Sequence, residues 1–427
     1  MRYLLNLLVL IVFAVAGYGQ TKMVVLSDTH VMAPELLISN GEAWQRFLNN
    51  DRKMEDCSRQ LFDEMVERLK TEIKPQLVLI TGDITKDGEL VSHQYVAHKL
   101  DELLAAGIKT LVIPGNHDLG TRNAVSYDGE QTMKVATATM KDFAKIYSAY
   151  GYGDTSEREN STLTYVCEPI SGLVMLGIDS GENGWLSNMT LNWICNKAEE
   201  AKQAGKQVVA MMHHPLFPHF YGVDKFVDTA VISNYENVRN RLADAGVGLI
   251  FTGHFHTSDI AKDFNGDLSR SIVDVNTGSL ISYPCDYRVV TASADLHTWD
   301  IETASLDSLS GEKDFRKTSK ERLTRGVVQR LSSMGPALEL FAEDAAECFI
   351  IHAEGNENLS AKGQVMLKKI GGVLKEANGF ASFMPSLTNK IKDVEKVAVS
   401  ILKDISGYGI TGRENQTNDR TLTVELP

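Results

Sequence analysis

The 427-residue chain carries 43% hydrophobic and 23% charged residues with 10 prolines, a balance that excludes a disordered or low-complexity class. A formal charge of −13 without any Lys/Arg run excludes an electrostatic nucleic-acid footprint. The five cysteines, Cys57, Cys167, Cys195, Cys285 and Cys348, are odd in number, widely spaced and without a CxxC pair, which argues against a disulfide framework.

Arg2 followed by the apolar run Leu4–Ala16 and small residues to Gly19 has the layout of a secretory signal peptide. Residues 1–19 are assigned to it, and the protein is expected to be exported, periplasmic or secreted. The run falls short of the ~20 residues of a membrane span, and no other stretch approaches that length.

Residues 20–309 alternate short β-prone runs with helical stretches. Strands are predicted at Met23–Leu26, Leu77–Ile80, Leu111–Ile113, Val208–Met212 and Leu249–Phe251, and further ones at Thr162–Val166, Leu173–Ile178, Ser271–Val275, Val289–Ala292 and Ala294–Ile301. Helices are predicted over Glu55–Glu72, where Leu61, Met65, Val66 and Leu69 form an apolar stripe, and from Gly88 to Ala106 before Gly107. Two more cover Asn192–Ala204 and Asn234–Ala245. Residues 119–160 read as an insertion near the site, with one helix near Thr132–Tyr147. Beyond Ser310 no strand signal survives, and 310–427 is expected to be a helical C-terminal region. Its clearest stripe is Leu387, Ile391, Val394, Ala398, Ile401 and Ile405, followed by a loose tail from Gly407 to Arg420. The expected fold class is α/β, a sandwich of two mixed sheets with a C-terminal helical extension.

Five short clusters each follow one of the first five β runs: SDTH (Asp28, His30), TGD (Asp83), GNHD (Asn116, His117), MMHHP (His213) and TGHFH (His254, His256). Ligands collect beyond the carboxyl ends of strands in α/β proteins, so five strand ends can deliver these side chains to one crevice. Asp28 and His30 are separated by one residue and can face one ion. Asp83 has two oxygens and can bridge, which histidine cannot. Gly82 removes a side chain that would crowd the cleft, and Gly115 is expected to permit a tight turn. The set contains no thiolate, and its mixed N/O character suits a pair of Fe, Mn or Zn ions, divalent or mixed-valence.

The order D-x-H, GD, GNHD, H and GH-x-H resembles the calcineurin-like metallophosphoesterase superfamily, over roughly Met23–Ile301. The resemblance implies a four-layer α/β/β/α sandwich and a binuclear centre. It implies that Asp28, His30 and His256 hold one ion, that Asn116, His213 and His254 hold the other, and that Asp83 bridges them. His213 rather than His214 is the expected ligand, and His117 is expected beside the substrate. In-line attack by a hydroxide shared between the ions is the mechanism implied. The protein Ser/Thr phosphatases of the superfamily carry GDxxDRG, whereas this chain reads GDITKDG, with Lys86 in the aspartate's place. A protein phosphatase is therefore disfavoured. Asp87 is expected to serve the Asp87-Gly88 turn and Asp118 to hold its own loop.

The spacing is similar to the diesterase branch, cyclic nucleotide phosphodiesterases and glycerophosphodiesterases, so the expected substrate is a small phosphodiester. Phosphomonoester hydrolysis is the alternative, and a non-catalytic module stabilised by metal is a third. Candidate substrate contacts are His219, Arg122 and Tyr283, with Phe217, Phe220 and Tyr221 as further aromatics near the ligand loops. Arg122 and Lys86 are the cations that a monoester would call upon, and both read as surface charges. The C-terminal helices read as a brace on the sandwich.

Overall fold

The computed structural model describes residues 19–219, 229–333, 342–355 and 418–426, together with Glu339, Val365 and Lys368. The signal-peptide run, Phe220, Tyr221, the stripe Leu387–Ile405 and positions 407–417 lie outside the described residues. In chain order the strands are β1 (Thr21–Leu26), β2 (Leu37–Ser39), β3 (Leu77–Ile80), β4 (Lys109–Val112), β5 (Val125–Asp128), β6 (Gln131–Lys134), β7 (Ser156–Arg158) and β8 (Tyr165–Ile170). They continue with β9 (Leu173–Ile178), β10 (Gln207–Met212), β11 (Leu249–Thr252), β12 (Asp259–Phe264), β13 (Ser271–Asn276), β14 (Asp286–Ala292), β15 (Thr298–Ser305) and β16 (Thr421–Glu425). The described α-helices are α1 (Glu42–Asn50), α2 (Ser58–Arg68), α3 (Leu90–Ala105), α4 (Met140–Ile146), α5 (Asn188–Gln203), α6 (Tyr235–Asp244), α7 (Phe315–Ser333) and α8 (Ala342–Ala353).

Two large mixed sheets face each other. The first runs β16-β15-β14-β1-β3-β4, the second β12-β13-β11-β10-β9-β8-β7, and a small third sheet, β2-β5-β6, sits beside them. Alternation along the central strands divides the core. Leu173, Met175, Val209 and Met211 pack into the core that the two sheets share. Their neighbours Val174, Leu176, Val208, Ala210 and Met212 pack under Leu191, Ile194 and Ala198 of α5 and Val238 and Leu242 of α6. With both faces covered, such strands are apolar throughout, and this is why they are legible in sequence. On the outer face of the first sheet, α2 contributes Leu61, Phe62, Met65 and Val66, and α3 contributes Val96, Leu100 and Leu103. The result is an α/β/β/α sandwich.

Parallel register decides where the site forms. Leu26 lies beside Ile80, and Ile80 beside Val112, so the residues that follow β1, β3 and β4 leave the first sheet at one edge. In the second sheet Met211 pairs with Phe251, which brings the ends of β10 and β11 together.

Several expectations need correction. The one helix expected near Thr132–Tyr147 is present but shorter: α4 is opened by a Thr139–Asp142 capping box, and the residues before it belong to the β5–β6 hairpin. The helix predicted over Glu55–Glu72 is a 3₁₀ turn, α2 and a π turn over Leu69–Ile73. The chain's end is not simply a loose tail after helices, because β16 pairs antiparallel with β15 and extends the first sheet. Tyr283 is buried with Leu323, Ile350 and Ala353 beneath α7 and α8, and its hydroxyl donates to Glu354 Oε1 at 2.7 Å. It anchors the C-terminal helices and is not a substrate contact.

Candidate metal centre

Each ligand residue occupies a turn directly beyond a strand, and the backbone there is unusual. Asp28, His30, Asp83, His254 and His256 all have positive φ, between 39° and 73°, a left-handed conformation that side chains with a Cβ disfavour. Gly82, at φ 93°, needs its missing Cβ twice over, since a methyl there would lie 2.7 Å from His213 Nδ1 and 2.9 Å from Gly115 N. Gly115 is not at positive φ. Its glycine is required because a Cβ would collide with Asp83 N and Oδ1, so close approach, rather than turn conformation, fixes it.

The side chains converge in two overlapping groups. In the first, His256 Nε2 lies 3.2 Å from Asp28 Oδ1, and His30 Nε2 lies 3.3 Å from His256 Nε2 and 3.6 Å from Asp83 Oδ2. In the second, His213 Nε2 lies 3.4 Å from Asp83 Oδ2, 3.1 Å from Asn116 Oδ1 and 3.3 Å from His254 Nδ1. The Asp, His and His ligand atoms of each group fall within 4.8 Å of one another, and Asp83 belongs to both. One oxygen, Asp83 Oδ2, faces both groups, while Oδ1 accepts from His117 N at 2.8 Å.

Surrounding bonds aim these atoms. Thr81 O can only accept, so His213 Nδ1, 2.8 Å away, carries a proton and leaves Nε2 free to ligate. Asp28 Oδ2 accepts from Ser27 Oγ at 2.5 Å and His254 N at 2.9 Å, whereas buried Asp28 Oδ1 has no hydrogen-bond partner. Burial holds the His30 imidazole well below its ordinary range, and burial with the neighbouring His213 pushes His254 down to about 3. Burial pushes Asp83 up, but His213, His117 and His30 pull it well below the usual carboxylate value. Burial lowers the His213 imidazole, but Asp83 raises it to about 9, so this ligand gives up a proton to a cation, whereas His30 and His254 favour the neutral form that ligates. An orphaned carboxylate oxygen beside nitrogens turned toward one another fits a metal pair.

His214 is not in either group; its Nδ1 meets Ser180 Oγ at 2.8 Å and its ring packs on His254. His117 stands edge-on to His30, with ring centroids 5.0 Å apart. Its Nδ1 donates to Lys86 O at 2.9 Å and lies 3.1 Å from Asp87 Oδ1. Asp87 is therefore more than a turn residue, because its carboxylate orients His117 from one position after the site where the superfamily's aspartate would stand. Asp118 ties the loops together, accepting from Gly115 N, Ile84 N and Thr85 N at 2.8–3.1 Å.

The other residues expected near the substrate fare differently. His219 is 2% exposed, with Nδ1 3.4 Å from Asp259 Oδ1 and Nε2 3.1 Å from Asp274 Oδ2. It is a core cation between two carboxylates and does not reach substrate. Phe217 is likewise fully buried. Arg122 is exposed. Lys86 is no surface charge: it is 2% exposed, bonded to Asp87, with Nζ 4.6 Å from the Phe47 ring centroid. The sequence reading missed Asp87's role, since its partner His117 lies thirty residues away in the chain.

The calcineurin-like phosphoesterase family matches residues 21–258, a span that holds all seven ligand candidates and His117. The chain belongs to this family. The chain spans about 65% of the length of the curated relative it matches. It is 26% identical over 226 residues to a probable glycerophosphodiester phosphodiesterase from Arcobacter nitrofigilis, an alignment covering 52% of this chain and 65% of that relative. Among solved structures, a dimetal phosphatase from Danio rerio aligns at TM-score 0.44 and 14% identity, over 67% of this chain and 96% of that one. A purple acid phosphatase from yellow lupin (Lupinus luteus) seeds aligns at TM-score 0.45 and 10% identity, over 67% and 52%.

Proposed function

We propose that this phosphoesterase hydrolyses phosphodiesters at a pair of metal ions, outside the cytoplasm. The observation that carries the reading is the convergence of two ligand groups on the single oxygen Asp83 Oδ2. Asp28, His30 and His256 would hold one ion and Asn116, His213 and His254 the other. When bound, such a pair supplies a water ionised near neutral pH and offsets charge on phosphoryl oxygens.

The chain's own residues handle the leaving group. His117 Nδ1 is committed to Lys86 O and Asp87, so Nε2 is the nitrogen that meets substrate. Burial pushes the His117 imidazole down, but Asp83 and Asp87 more than reverse this, to about 9. A protonated Nε2 is suited to donate to the departing alkoxide. A histidine held by a dedicated carboxylate has no use in a purely structural metal site, and this supports catalysis over the module reading.

Diester preference is supported by the resemblance of the motif spacing to the diesterase branch and by the name of the Arcobacter relative. Turnover of bis(p-nitrophenyl) phosphate against p-nitrophenyl phosphate by metal-loaded protein tests it. The diester is expected to be the better substrate, and a strong monoester preference overturns the assignment. Arg2 and the apolar run Leu4–Ala16 support export. A mature N-terminus beginning near Gln20 is expected from sequencing of extracytoplasmic protein, and retention of Met1 in the cytoplasm contradicts it.

A further inference from the structure

The small third sheet reaches the site through a buried ammonium. Helix α1 docks on the β5–β6 turn, where Ala43 N donates to Gly129 O at 3.0 Å and a Cβ at Gly41 would collide with the Gly129 backbone. Trp44 of α1 stacks on Phe47 with 5.3 Å between centroids and meets the Tyr127 ring of β5 edge-on at 4.8 Å. Phe47 and Tyr127 in turn wall the Lys86 ammonium, whose Nζ lies 4.6 and 5.6 Å from the two ring centroids. Lys86 is buried, and with water excluded a ring face attracts a cation more strongly than it does at the surface.

The caged ammonium bears on His117. Lys86 Nζ bonds Asp87 Oδ2, and the other oxygen of that carboxylate, Oδ1, lies 3.1 Å from His117 Nδ1. The Asp87 main chain is fixed separately, its N–H donating to Glu89 Oε2 at 3.1 Å and its carbonyl accepting from Thr121 Oγ1. The rotation of the carboxylate then decides where Oδ1 points, and the bond to Lys86 sets that rotation. The Lys86 carbonyl is itself the second acceptor of His117 Nδ1, at 2.9 Å. One residue therefore governs both acceptors that aim this ring.

We propose that Lys86, gripped by Phe47 and Tyr127, is a positioning residue that acts through Asp87 to hold His117 against the leaving oxygen, with the third sheet and α1 serving as its cage. The inference rests on the phosphoesterase reading, with His117 as the leaving-group donor. A misaimed donor costs only as much as the leaving oxygen needs its proton. Loss of the relay therefore weighs on esters of poor leaving groups and spares those of good ones, a bias that general loosening of the fold does not produce.

The test is steady-state kinetics of metal-loaded wild type, Lys86→Met, Asp87→Asn and the double variant on two diesters. Diphenyl phosphate expels a more basic phenoxide than bis(p-nitrophenyl) phosphate does. Lys86→Met is expected to lower kcat about tenfold on diphenyl phosphate and at most about threefold on the nitrophenyl ester, with both KM values within about twofold. In the Asp87→Asn background the same substitution should change kcat by less than about twofold, since residues that act through one another are not additive. An equal loss on both esters, an unchanged kcat, or a full loss added to that of Asp87→Asn overturns the assignment. Phe47→Leu leaves every charge in place and tests the cage should Lys86→Met not fold: the same bias at about two- to threefold supports it, and wild-type kinetics on both esters refute it. If wild type turns over neither ester, the phosphoesterase reading fails, and NMR of the His117 ring still decides the relay. Its Nδ1 proton resonance is expected to move in both Lys86→Met and Asp87→Asn, and a resonance that Lys86→Met leaves in place refutes the relay.

Discussion

Asp87 and His219 show how two charged residues in similar contact with a neighbour serve different ends. Asp87 fixes the ring of His117, so Asp87→Asn is expected to lower kcat about 10- to 100-fold while metal content and fold persist. Metal analysis with kinetics checks this, and an unchanged kcat shows that the Lys86 carbonyl alone suffices. His219 works for stability. Burial lowers its pKa, but Asp259 and Asp274 raise it to about 10. Since this exceeds the unfolded value of 6.5, its stabilisation is full below about pH 6.5 and is lost as pH rises toward 10. Burial raises Asp259, but His219 brings it to about 2, so that share holds above 3.8 and fades as pH falls through 2. Urea unfolding of wild type and His219→Gln is expected to differ by about 3–5 kcal/mol at pH 6, because the variant leaves two carboxylates buried. The gap should narrow by pH 9.5. A gap independent of pH means that His219 acts by shape alone.

At the scale of elements, β16 is the strand whose removal should be felt furthest. Asp419 precedes it and is fully buried; its Oδ1 accepts from Ile260 N at 2.8 Å, and its carbonyl accepts from Arg288. Asp419→Ala is expected to destabilise by about 1–3 kcal/mol through the unsatisfied Ile260 amide, read as a fall in the urea midpoint; an unaffected midpoint means the tail's docking contributes little. This element also marks what sequence reading could not reach. Strands covered on both faces, such as β9 and β10, announce themselves as apolar runs. The strand β16 offers only a thin alternation of Leu422, Val424 and, just past its end, Leu426, placed after residues whose sequence reads as helical. In β12 the sequence Asp-Ile-Ala-Lys-Asp-Phe buries Asp259 and Asp263 because His219 and Arg239 wait across the space, pairings invisible along the chain. Exposed Gln131–Lys134 lacks a buried face and was taken into a helix. The metal ligands were legible since each follows a strong strand. Asp87's role was not, because its partner His117 lies thirty residues further along the chain.

For the molecule as a whole, the centre is where the two sheets meet. Asp28, Asp83 and Asn116 come from ends of the first sheet, and His213 and His254 from ends of the second, with His256 two residues further on. Ions bound there tie the halves together, so chelation is expected to lower the thermal midpoint by several degrees and re-addition of metal to restore it. A cation at 1,000-fold its Kd contributes about 4 kcal/mol. Identical melting curves with and without chelator contradict a metal pair at this seam.

Five of the seven ligand candidates stand on backbone that a glycine would tolerate more comfortably. Selection for durability alone would favour glycine there. A related copy of this gene released from its chemistry should drift at those five codons first, toward glycine or asparagine, while the strands that lead into them stay apolar.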